Sequence, residues 1–297
     1  MKEFEWLENL TVNKDFPMKN YTSIKVGGNA KILVYPRSLD ELTAVLENLS
    51  KSNLKFSVLG AGSNTIVSDE GINKVVISTK KLKKVNFNDD GIVEAECGVM
   101  LSSIMNNAVK KGLIGFEFAA GIPGTVGGSV YMNAGANGGE IKDVLSRVYG
   151  WHNGREVIIE RNKICFDYRK SNLPKSFVVT KAVFQLRKGS GKKSSENIKS
   201  YLEYRNSTQP VKIANTGSIF KNPSNISAGK LLEELGFKGY TIGGAKFSEL
   251  HANFIVNFNN ASAKDIISLI NKAKTKASLE RGIKLETEVK IIGENGK

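Results

Sequence analysis

Two glycine-rich segments constrain the fold of this chain more than any other feature of its sequence. The first consists of Gly60, Ala61, Gly62, Ser63 and Asn64. The second begins at Gly121 and contains Pro123, Gly124, Thr125, Gly127 and Gly128. Because glycine permits positive φ angles and close approach of the backbone, successive N–H groups can point at one anion. We predict that both segments are loops that hold a phosphorylated ligand, with a diphosphate at the second. For the first segment an ordinary tight turn stays open.

The chain is strongly basic. Its 297 residues include 43 Lys and Arg against 29 Asp and Glu, which gives a formal net charge of +14 at pH 7. Its ligands or partners are therefore expected to be anionic. No apolar run approaches the roughly 20 residues of a membrane span, and residues 1–6 are mixed and acidic rather than signal-like. We expect a cytoplasmic protein without a membrane partner.

Cysteine and histidine are rare in this chain. The two cysteines, Cys97 and Cys165, are too few for a disulfide framework. Their strand-like apolar surroundings favour buried structural thiols in a reducing compartment. The histidines are His152 and His251, which are too few for a clustered transition-metal site, so we expect no metal.

Helix and strand patterns alternate along the chain. Ser38 and Glu41 have the spacing of a capping box that opens a helix through residue 49. Further helices are predicted over 102–111, 196–205, 228–235 and 262–281. Strands are predicted over 55–59, 74–78, 92–96, 144–151, 157–160, 177–186, 254–258 and 283–292, with a flexible polar connection over 187–195. The chain is thus mixed α and β, and its strands are too irregularly spaced for a single barrel.

Three further segments carry candidate chemistry. Arg169 follows an aromatic residue in the segment 166–171, and a solvated charge is the alternative there. Ser218, in the segment 215–223, has no nearby histidine to activate it as a nucleophile, so proton donation or hydrogen bonding is the expected role. In the segment 285–290, strand alternation puts Glu286, Glu288 and Lys290 on one face. The polar outer face of an edge strand is the alternative for them.

These segments occur in the order found in one protein family. The matching stretches begin at Tyr21-Thr22-Ser23-Ile24-Lys25-Val26-Gly27-Gly28, include both glycine-rich segments, Tyr168-Arg169 and 217–223, and end at Glu288-Val289-Lys290. On them the chain resembles the UDP-N-acetylenolpyruvoylglucosamine reductases, flavoenzymes of peptidoglycan precursor synthesis. Any one stretch is weak, but the five from the first glycine-rich segment to the terminal Leu285–Glu288, in family order, are specific. The compact C-terminal third resembles the shorter of the two family types.

The resemblance implies an α+β fold. Two FAD-binding subdomains of the vanillyl-alcohol-oxidase (PCMH) type would cover 1–80 and 81–206, and a C-terminal α/β substrate domain would cover 207–297. The return of a terminal strand, 289–297, to the first subdomain is left open. Non-covalent FAD would be held by the two glycine-rich segments and Ala134. The implied partners are NADPH and a UDP-sugar, with no nucleic acid, and a monomer is expected.

The resemblance also implies a reaction. Hydride would pass from NADPH to FAD, and from reduced flavin to C3 of the enolpyruvyl group of UDP-N-acetylglucosamine enolpyruvate, giving UDP-N-acetylmuramate. By position, Ser218 would donate the proton to C2. Arg169 and Glu288 would stabilise the enolate-like intermediate, Glu288 either as an acid or through a hydrogen bond. A guanidinium suits this role because it keeps its charge and offers a planar fork of donors.

The implied substrate contacts are Tyr168, Lys221, Asn222, His251 and Lys290. His251 falls where shorter members of the family have a histidine near the substrate, and a satisfied, partly buried imidazole is the alternative. Lys290 departs from the family pattern, since many members have arginine there. Lysine keeps the charge but loses bidentate geometry.

Two other functions stay open at this point. One is another FAD-dependent sugar or alcohol oxidoreductase of the same superfamily. Such enzymes often tether flavin through histidine, and the FAD-binding part has only His152, outside both glycine-rich segments. The other is a basic nucleic-acid-binding protein, in which lysines cluster with interleaved aromatic residues. The lysines here are scattered, apart from short groups such as Lys80, Lys81, Lys83 and Lys84.

Overall fold

The computed structural model describes residues 6–8 and 10–293. Residues 1–5 of the N-terminal segment and 294–297 of the proposed terminal strand lie outside this part of the chain. The described α-helices are α1 (Leu39–Lys51), α2 (Leu101–Lys110), α3 (Val126–Tyr131), α4 (Gly191–Thr208), α5 (Ala228–Glu234) and α6 (Ala263–Arg281). No described helix is long and apolar enough to cross a membrane.

The strands are mostly short. In chain order they are β1 (Val12–Pro17), β2 (Asn29–Val34), β3 (Phe56–Leu59), β4 (Thr65–Val67), β5 (Ile72–Ser78), β6 (Val85–Phe87), β7 (Ile92–Glu96), β8 (Leu113–Ile114), β9 (Gly135–Ala136), β10 (Gly139–Glu140), β11 (Leu145–His152), β12 (Arg155–Glu160), β13 (Phe166–Asp167), β14 (Lys170–Ser171), β15 (Val178–Gln185), β16 (Arg187–Lys188), β17 (Ala214–Ser218), β18 (Thr241–Ile242), β19 (Ala245–Phe247), β20 (Phe254–Asn257) and β21 (Lys290–Ile292).

The larger described sheets have four or five strands. Their strand orders are β1-β2-β5-β3, β12-β11-β15-β7-β6 and β17-β20-β19-β18. The five-stranded sheet is antiparallel throughout. By contrast, β3 pairs with β5 in parallel, and β21 pairs with β4 in parallel, with Lys290 opposite Thr65.

The chain divides into two compact units. Unit 1 comprises Met1–Asn13, Leu33–Ala61 and Lys74–Glu203, and unit 2 comprises Lys14–Ile32, Gly62–Asn73 and Tyr204–Lys297. The three-part division at 80/81 and 206/207 stays a prediction.

The core of unit 1 is built on its five-stranded sheet. Strand β15 is buried over most of its length, and Val148 of β11 and Ala182 of β15 are fully buried. The ring of Phe116 lies 5.4 Å from the rings of both Phe118 and Phe184. Phe116 and Phe184 are edge-to-face, and a pair of this kind adds roughly 0.5–1.5 kcal/mol beyond the burial of its area.

The core of unit 2 lies between its four-stranded sheet and helices α5 and α6. Leu231 and Leu232 of α5 and Ile266 and Leu269 of α6 are buried in one apolar cluster. Helix α6 begins at a reciprocal cap and ends at Gly282, whose φ of 65° is left-handed. These terminal signals in the sequence give the helix its bounds.

Most predicted elements are confirmed to within a few residues. The strand over 92–96 is β7, the helix over 262–281 is α6, and the helix over 102–111 is α2. The predicted capping box at α1 is only half formed. Ser38 Oγ accepts the N–H of Glu41 at 3.1 Å, but the Glu41 carboxylate accepts the N–H of Arg37 at 2.8 Å instead of that of Ser38.

Four predictions of local structure are wrong. Helix α4 begins at Gly191, inside the predicted flexible connection. Helix α3 begins inside the second glycine-rich segment, which is therefore not all loop. The predicted strand over 283–292 is a strand only at Lys290–Ile292, because it is only there that it pairs with β4. Cys165 is exposed and Cys97 is buried, so the expected burial holds for one thiol alone.

Candidate functional site

The first glycine-rich segment connects β3 to β4. Gly62 has a φ of +76°, and a Cβ there would lie 3.0 Å from the Tyr21 ring. A Cβ on Gly60 would clash with Oγ1 of Thr125, a residue of the second segment. Packing within each unit therefore requires glycine at both positions.

Several backbone donors in the two segments have no protein acceptor. Among residues 6–8 and 10–293, none is found for the N–H groups of Ala61, Gly62 and Ser63, or of Gly124 and Gly128. Neither segment contains an acidic side chain. Because unpaired N–H groups bind phosphate oxygens, the donors of each segment, taken by itself, fit a phosphate group of FAD.

Packing explains only some of the glycines in the second segment. A Cβ on Gly124 would lie 2.6 Å from Oγ of Ser129, and one on Gly127 would lie 3.0 Å from Cβ of Cys97. For Gly128 the nearest atom would be Oγ1 of Thr125, at 4.0 Å. A helical glycine costs about 1 kcal/mol relative to alanine, and no contact among the described residues requires it at Gly128. A ligand lying close to the backbone is a physical reason that fits this position.

Ala134 offers a ligand only its methyl group. Its N–H donates to the carbonyl of Ser129 at 2.8 Å, and its carbonyl accepts the N–H of Ile141 at 3.0 Å. A role of Ala134 in cofactor binding therefore rests on apolar contact.

Arg169 lies at the turn between β13 and β14. Its φ of 54° is left-handed, which is uncommon for a residue with a large side chain. Its Nη2 donates to the carbonyl of Gly135 at 2.5 Å, and its Nη1 lies 3.6 Å from Oε1 of Glu140. The guanidinium carbon lies 4.9 Å from the ring centre of Tyr168, which is itself exposed. The guanidinium is thus fixed from several sides.

Glu140 is held in turn by Asn133, a fully buried residue with a φ of 44°. The Nδ2 of Asn133 donates to Oε2 of Glu140 at 2.9 Å and to the carbonyl of Asp167 at 3.1 Å. Lys142 pairs with the same carboxylate oxygen at 2.7 Å, and this contact raises the pKa of Lys142. Arg169 therefore belongs to a polar network of unit 1.

Ser218 lies at the end of β17, the edge strand of the unit 2 sheet. Gly217 precedes it with a φ of 75°, and the pairing with β20 is irregular between Asn215 and Ser218. The N–H of Gly217 donates to Oδ1 of Asn215 at 2.8 Å. Bulges of this kind re-aim side chains at functional sites, and here the bulge turns the half-buried Ser218.

Backbone hydrogen bonds connect the segment after Ser218 to the segment that contains Glu288. The N–H of Glu288 donates to the carbonyl of Ile219 at 2.8 Å, and the N–H of Lys221 donates to the carbonyl of Glu286 at 2.9 Å. Ser218 and Glu288 are therefore held in register in unit 2, although 70 residues separate them in sequence.

Asn64 of the first glycine-rich segment also contacts this ladder. Its Nδ2 donates to the carbonyl of Glu288 at 3.3 Å, and its carbonyl accepts the N–H of Lys290 at 3.0 Å. Its side chain is thus tied to the Glu288 backbone, and Asn64 links a predicted cofactor segment to a predicted catalytic residue.

The predicted substrate residues of unit 2 differ in exposure. The side chain of Lys221 is 15 % exposed and its Nζ lies 2.7 Å from Oε1 of Glu286, whose side chain is 71 % exposed. Asn222 is exposed, and its Oδ1 accepts the N–H of Ala228 at 3.0 Å, at the start of α5. Lys290 is exposed at the start of β21.

His251 is a half-buried imidazole, and burial lowers its pKa. Its Nδ1 accepts the N–H of Asn253 at 3.2 Å, which leaves the proton on Nε2. A Cβ on Gly229 would lie 2.9 Å from Cε1 of His251, so the ring packs directly on the α5 backbone. His251 is therefore partly buried with one ring nitrogen hydrogen-bonded, as the alternative interpretation predicts. The neutral ring keeps Nε2–H as a donor.

The predicted site residues fall into both units. Unit 2 brings together Asn64, Ser218, Lys221, Asn222, His251, Glu288 and Lys290 in connected segments. Unit 1 holds Gly60, Ala61, Ala134, Tyr168, Arg169 and the second glycine-rich segment. The sequence patterns missed Asn133 and Glu140, which support Arg169, and Asn253, which contacts the Ser218 segment. Single polar residues of this kind carry no periodic signal. Among the described residues, no group of three or more His, Cys, Asp or Glu side chains could hold a metal ion.

Comparison with known proteins decides between the alternatives. The C-terminal domain of UDP-N-acetylenolpyruvoylglucosamine reductase matches residues 209–292, and an FAD binding domain matches residues 30–151. The reductase of Syntrophus aciditrophicus is 43 % identical over 287 residues, covering 95 % of this chain and 92 % of the relative. That of Caldicellulosiruptor bescii is 42 % identical and covers 98 % and 95 %. The chain belongs to the UDP-N-acetylenolpyruvoylglucosamine reductase family.

A solved structure of the family agrees with this assignment. The reductase of Thermus caldophilus superposes with a TM-score of 0.82 at 32 % identity, covering 96 % of this chain and 99 % of the other. The predicted PCMH-type FAD-binding fold with a C-terminal domain is confirmed, and the length of 297 residues fits the shorter family type. The protein is an FAD-dependent oxidoreductase, a UDP-N-acetylmuramate dehydrogenase of peptidoglycan precursor synthesis that uses FAD and NADPH. The two alternative functions are set aside.

Proposed function

We propose that Ser218 protonates C2 of the enolpyruvyl group while Arg169 and Glu288 stabilise the negative charge that develops beside it. When bound, FAD supplies the hydride that NADPH provides, and this hydride goes to C3. The electron pair of the broken C=C π bond is then left at C2, next to the carboxylate. A proton from the Ser218 hydroxyl completes the reduction, and the hydroxyl regains its proton from solvent.

The observation that carries this proposal is the hydrogen bond from the N–H of Glu288 to the carbonyl of Ile219, at 2.8 Å. It keeps the segments that carry the Ser218 hydroxyl and the Glu288 carboxyl group side by side. A serine is a weak acid in water, but a strongly basic carbanion held against it removes that handicap. Glu288 can act on the same charge as an acid or as a hydrogen-bond partner.

The environment of Arg169 supports its part. Its contacts with Gly135 and Glu140 fix the guanidinium before any substrate binds. A preorganised cation stabilises a developing oxyanion without reorganisation during the reaction. Its planar fork of donors also matches the two oxygens of a carboxylate.

For the UDP-sugar we propose contacts from Tyr168, Lys221, Asn222, His251 and Lys290. The hydrogen bond from Ala228 occupies Oδ1 of Asn222, so its Nδ2 is the group suited to a phosphate or sugar oxygen. The lowered pKa of His251 keeps its imidazole neutral near pH 7, with Nε2–H as its donor. Lys221 and Lys290 add positive charge for a diphosphate.

The remaining expectations concern domains, oligomeric state and location. We propose that residues 207–297 form the substrate domain, which the family match over 209–292 supports. Residues 1–80 and 81–206 would form the FAD-binding subdomains. A cytoplasmic monomer fits a reaction between NADPH and a UDP-sugar, and fits two free thiols. Light scattering at micromolar concentration and cell fractionation test these points.

The roles are tested by measuring the two half-reactions separately in stopped-flow absorbance. In Ser218→Ala, reduction of the flavin by NADPH should stay within about twofold of wild type, while its reoxidation by the enolpyruvyl substrate should slow by roughly 10²–10⁴. Ser262→Ala removes the cap of α6 and serves as the control, with both rates retained. Equal slowing of both half-reactions in Ser218→Ala would remove the proton-donor role.

A further inference from the structure

Asn253 is a buried asparagine that the proposed mechanism does not use. It lies directly before β20 and is 3 % exposed. Its amide carries donors and an acceptor that need partners in such an environment. Where those partners lie defines what the residue does.

The side chain of Asn253 pairs with the backbone of Phe220 as a strand would. The N–H of Phe220 donates to Oδ1 at 3.0 Å, and Nδ2 donates to the carbonyl of Phe220 at 2.8 Å. The backbone carbonyl of Asn253 accepts the N–H of Ile219 at 2.8 Å. One residue therefore holds three backbone groups of the segment that follows Ser218.

The opposite edge of the same segment faces the extended segment that contains Glu288. The carbonyl of Ile219 accepts the N–H of Glu288 at 2.8 Å, and Phe220 forms an antiparallel bridge with Thr287. Residues 219–221 thus lie between Asn253 on one side and residues 286–288 on the other. Any slip of this segment would shift Ser218 relative to Glu288.

The side chain of Asn253 pairs with Phe220 close to the point where the backbone pairing of β17 with β20 becomes irregular. Strand β17 is paired with β20 at Asn215 and again at Ser218, with a register shift between them. The positive φ of Gly217 lies inside that shift. Because the bulge loosens the ladder beside Ser218, the amide of Asn253 supplies the next two hydrogen bonds along the strand.

We propose that Asn253 is a positioning residue for the reduction, which fixes the register of Ser218 against Glu288 through the backbone of Phe220. This inference rests on the proposed roles of Ser218 and Glu288. Asn253 would touch neither substrate nor cofactor, and it would act only through the relative positions of Ser218 and Glu288.

Asn253→Asp tests the proposal because the two protonation states of the carboxyl group differ in hydrogen bonding. The neutral acid can accept from the N–H of Phe220 and donate to its carbonyl, as the amide does. The carboxylate cannot donate, and it would face the Phe220 carbonyl. At pH 8 the oxidative half-reaction should slow by about tenfold or more, while flavin reduction by NADPH stays unchanged. The oxidative rate should recover as the pH is lowered to 6, because burial favours the neutral acid.

The wild type and one matched variant serve as controls. The N–H of Asn253 donates to the titratable side chain of His251. Protonation of His251 affects the wild type and the variant alike, so the pH profile of the wild type, recorded in parallel, corrects for it. Asn257→Asp alters an asparagine of the same strand, whose Nδ2 donates to the carbonyl of Ile24 at 3.0 Å and whose Oδ1 accepts the N–H of Ala261 at 2.9 Å. It should lower thermal stability without a selective loss of the oxidative half-reaction.

The outcomes separate this inference from the proposed function. A selective oxidative loss with low-pH recovery in Asn253→Asp alone supports positioning. A folded Asn253→Asp with wild-type kinetics, or equal effects on both half-reactions in the two aspartate variants, overturns it. If Asn253→Asp does not fold at pH 8, Asn253→Ser takes its place. We then expect a selective loss of the oxidative half-reaction that does not recover at low pH. Wild-type kinetics in Asn253→Ser would overturn the proposal. Ser218→Ala in the same assay reports on the proposed function, since an unchanged oxidative rate there would end the proton-donor role whatever Asn253 does.

Discussion

The backbone N–H of Glu288 donates to the carbonyl of Ile219 across 2.8 Å. Ile219 directly follows Ser218, so this hydrogen bond joins Glu288, to which we assign charge stabilisation, to the neighbour of Ser218, to which we assign proton donation. Neither segment can slide along the other without breaking this hydrogen bond and the one from Lys221 to Glu286. We therefore treat Ser218 and Glu288 as one functional pair rather than as two independent groups.

Glu288→Gln tests the second member of this pair. The amide keeps the size of the side chain and one hydrogen-bonding group, but it loses the charge and the ability to carry a proton. We expect the oxidative half-reaction to slow by about 10², with NADPH reduction unchanged. Glu286→Gln is the contrast, because Glu286 pairs with Lys221, and it should change the KM for the UDP-sugar with little change in kcat. A retained oxidative rate in Glu288→Gln would leave hydrogen bonding as its only role.

Arg169→Lys tests the forked geometry of the guanidinium. Lysine keeps the positive charge but lacks the planar fork of donors, so it cannot form a bidentate pair with a carboxylate. We expect a loss of roughly 10² in the oxidative half-reaction. Arg161→Lys is the control, since Arg161 donates to the carbonyls of Lys142 and Ile164 in the same unit. Similar kinetic losses in both variants would point to a general packing effect.

Two glycines of the predicted cofactor segments should respond differently to alanine. A Cβ at Gly60 clashes with Oγ1 of Thr125, whereas a Cβ at Gly128 would lie 4.0 Å from its nearest neighbour, in ordinary van der Waals contact. Gly60→Ala should lower the Tm of the apoprotein, and Thr125→Ala in the same chain should restore part of it. Gly128→Ala should keep or raise the apoprotein Tm, because alanine favours the helix by about 1 kcal/mol, yet weaken FAD binding in a fluorescence titration. Undiminished FAD affinity in Gly128→Ala contradicts a ligand beside α3.

His251 should make stability depend on pH. Burial lowers its pKa in the folded state below the ordinary value of 6.5, so the unfolded chain binds the proton more readily. Its contribution is fully present above pH 6.5 and is lost as the pH falls through the lower, folded-state pKa. The free energy of unfolding in urea should therefore drop more between pH 7.5 and 5.5 for wild type than for His251→Gln. Parallel profiles would show that the imidazole titrates alike in both states.

The two thiols should differ in reactivity. Cys165 is exposed and Cys97 is buried, and burial raises the pKa of Cys97 to about 12. Because the thiolate is the nucleophile, one thiol per chain should react with a thiol reagent in the native protein and two in urea. Cys165→Ser should abolish the native reaction. A native reaction that survives in Cys165→Ser would mean that Cys97 is accessible.

Periodic patterns predicted the elements whose partners are apolar faces. Helix α6 follows from its spacing of buried residues and from Ser262 and Gly282 at its ends, and β7 follows from alternation. Helix α4 was predicted five residues short at its start and three short at its end, because its buried residues are only Ser194 and Ile198. The contact that secures its start, from the Ser194 hydroxyl to Glu117, spans 77 residues of sequence and has no periodic signal.

Only the site residues that lie in sequence motifs could be predicted. The resemblance named Arg169, Ser218 and Glu288, and their roles stay predictions. It did not indicate that Arg169 adopts a left-handed φ beside Glu140. It also missed Asn253, because a single asparagine acquires its meaning from a partner such as Phe220, 33 residues away.

The central claim is that Ser218 and Glu288 act as a unit, and a double-mutant cycle on the oxidative half-reaction tests it most directly. The rates of wild type, Ser218→Ala, Glu288→Gln and the double variant are measured by stopped-flow reoxidation of the reduced enzyme with the enolpyruvyl substrate. Residues that act together give strongly non-additive losses, so the double variant should be little slower than Ser218→Ala alone. Losses that simply multiply would contradict the account, because each residue would then act independently of the other.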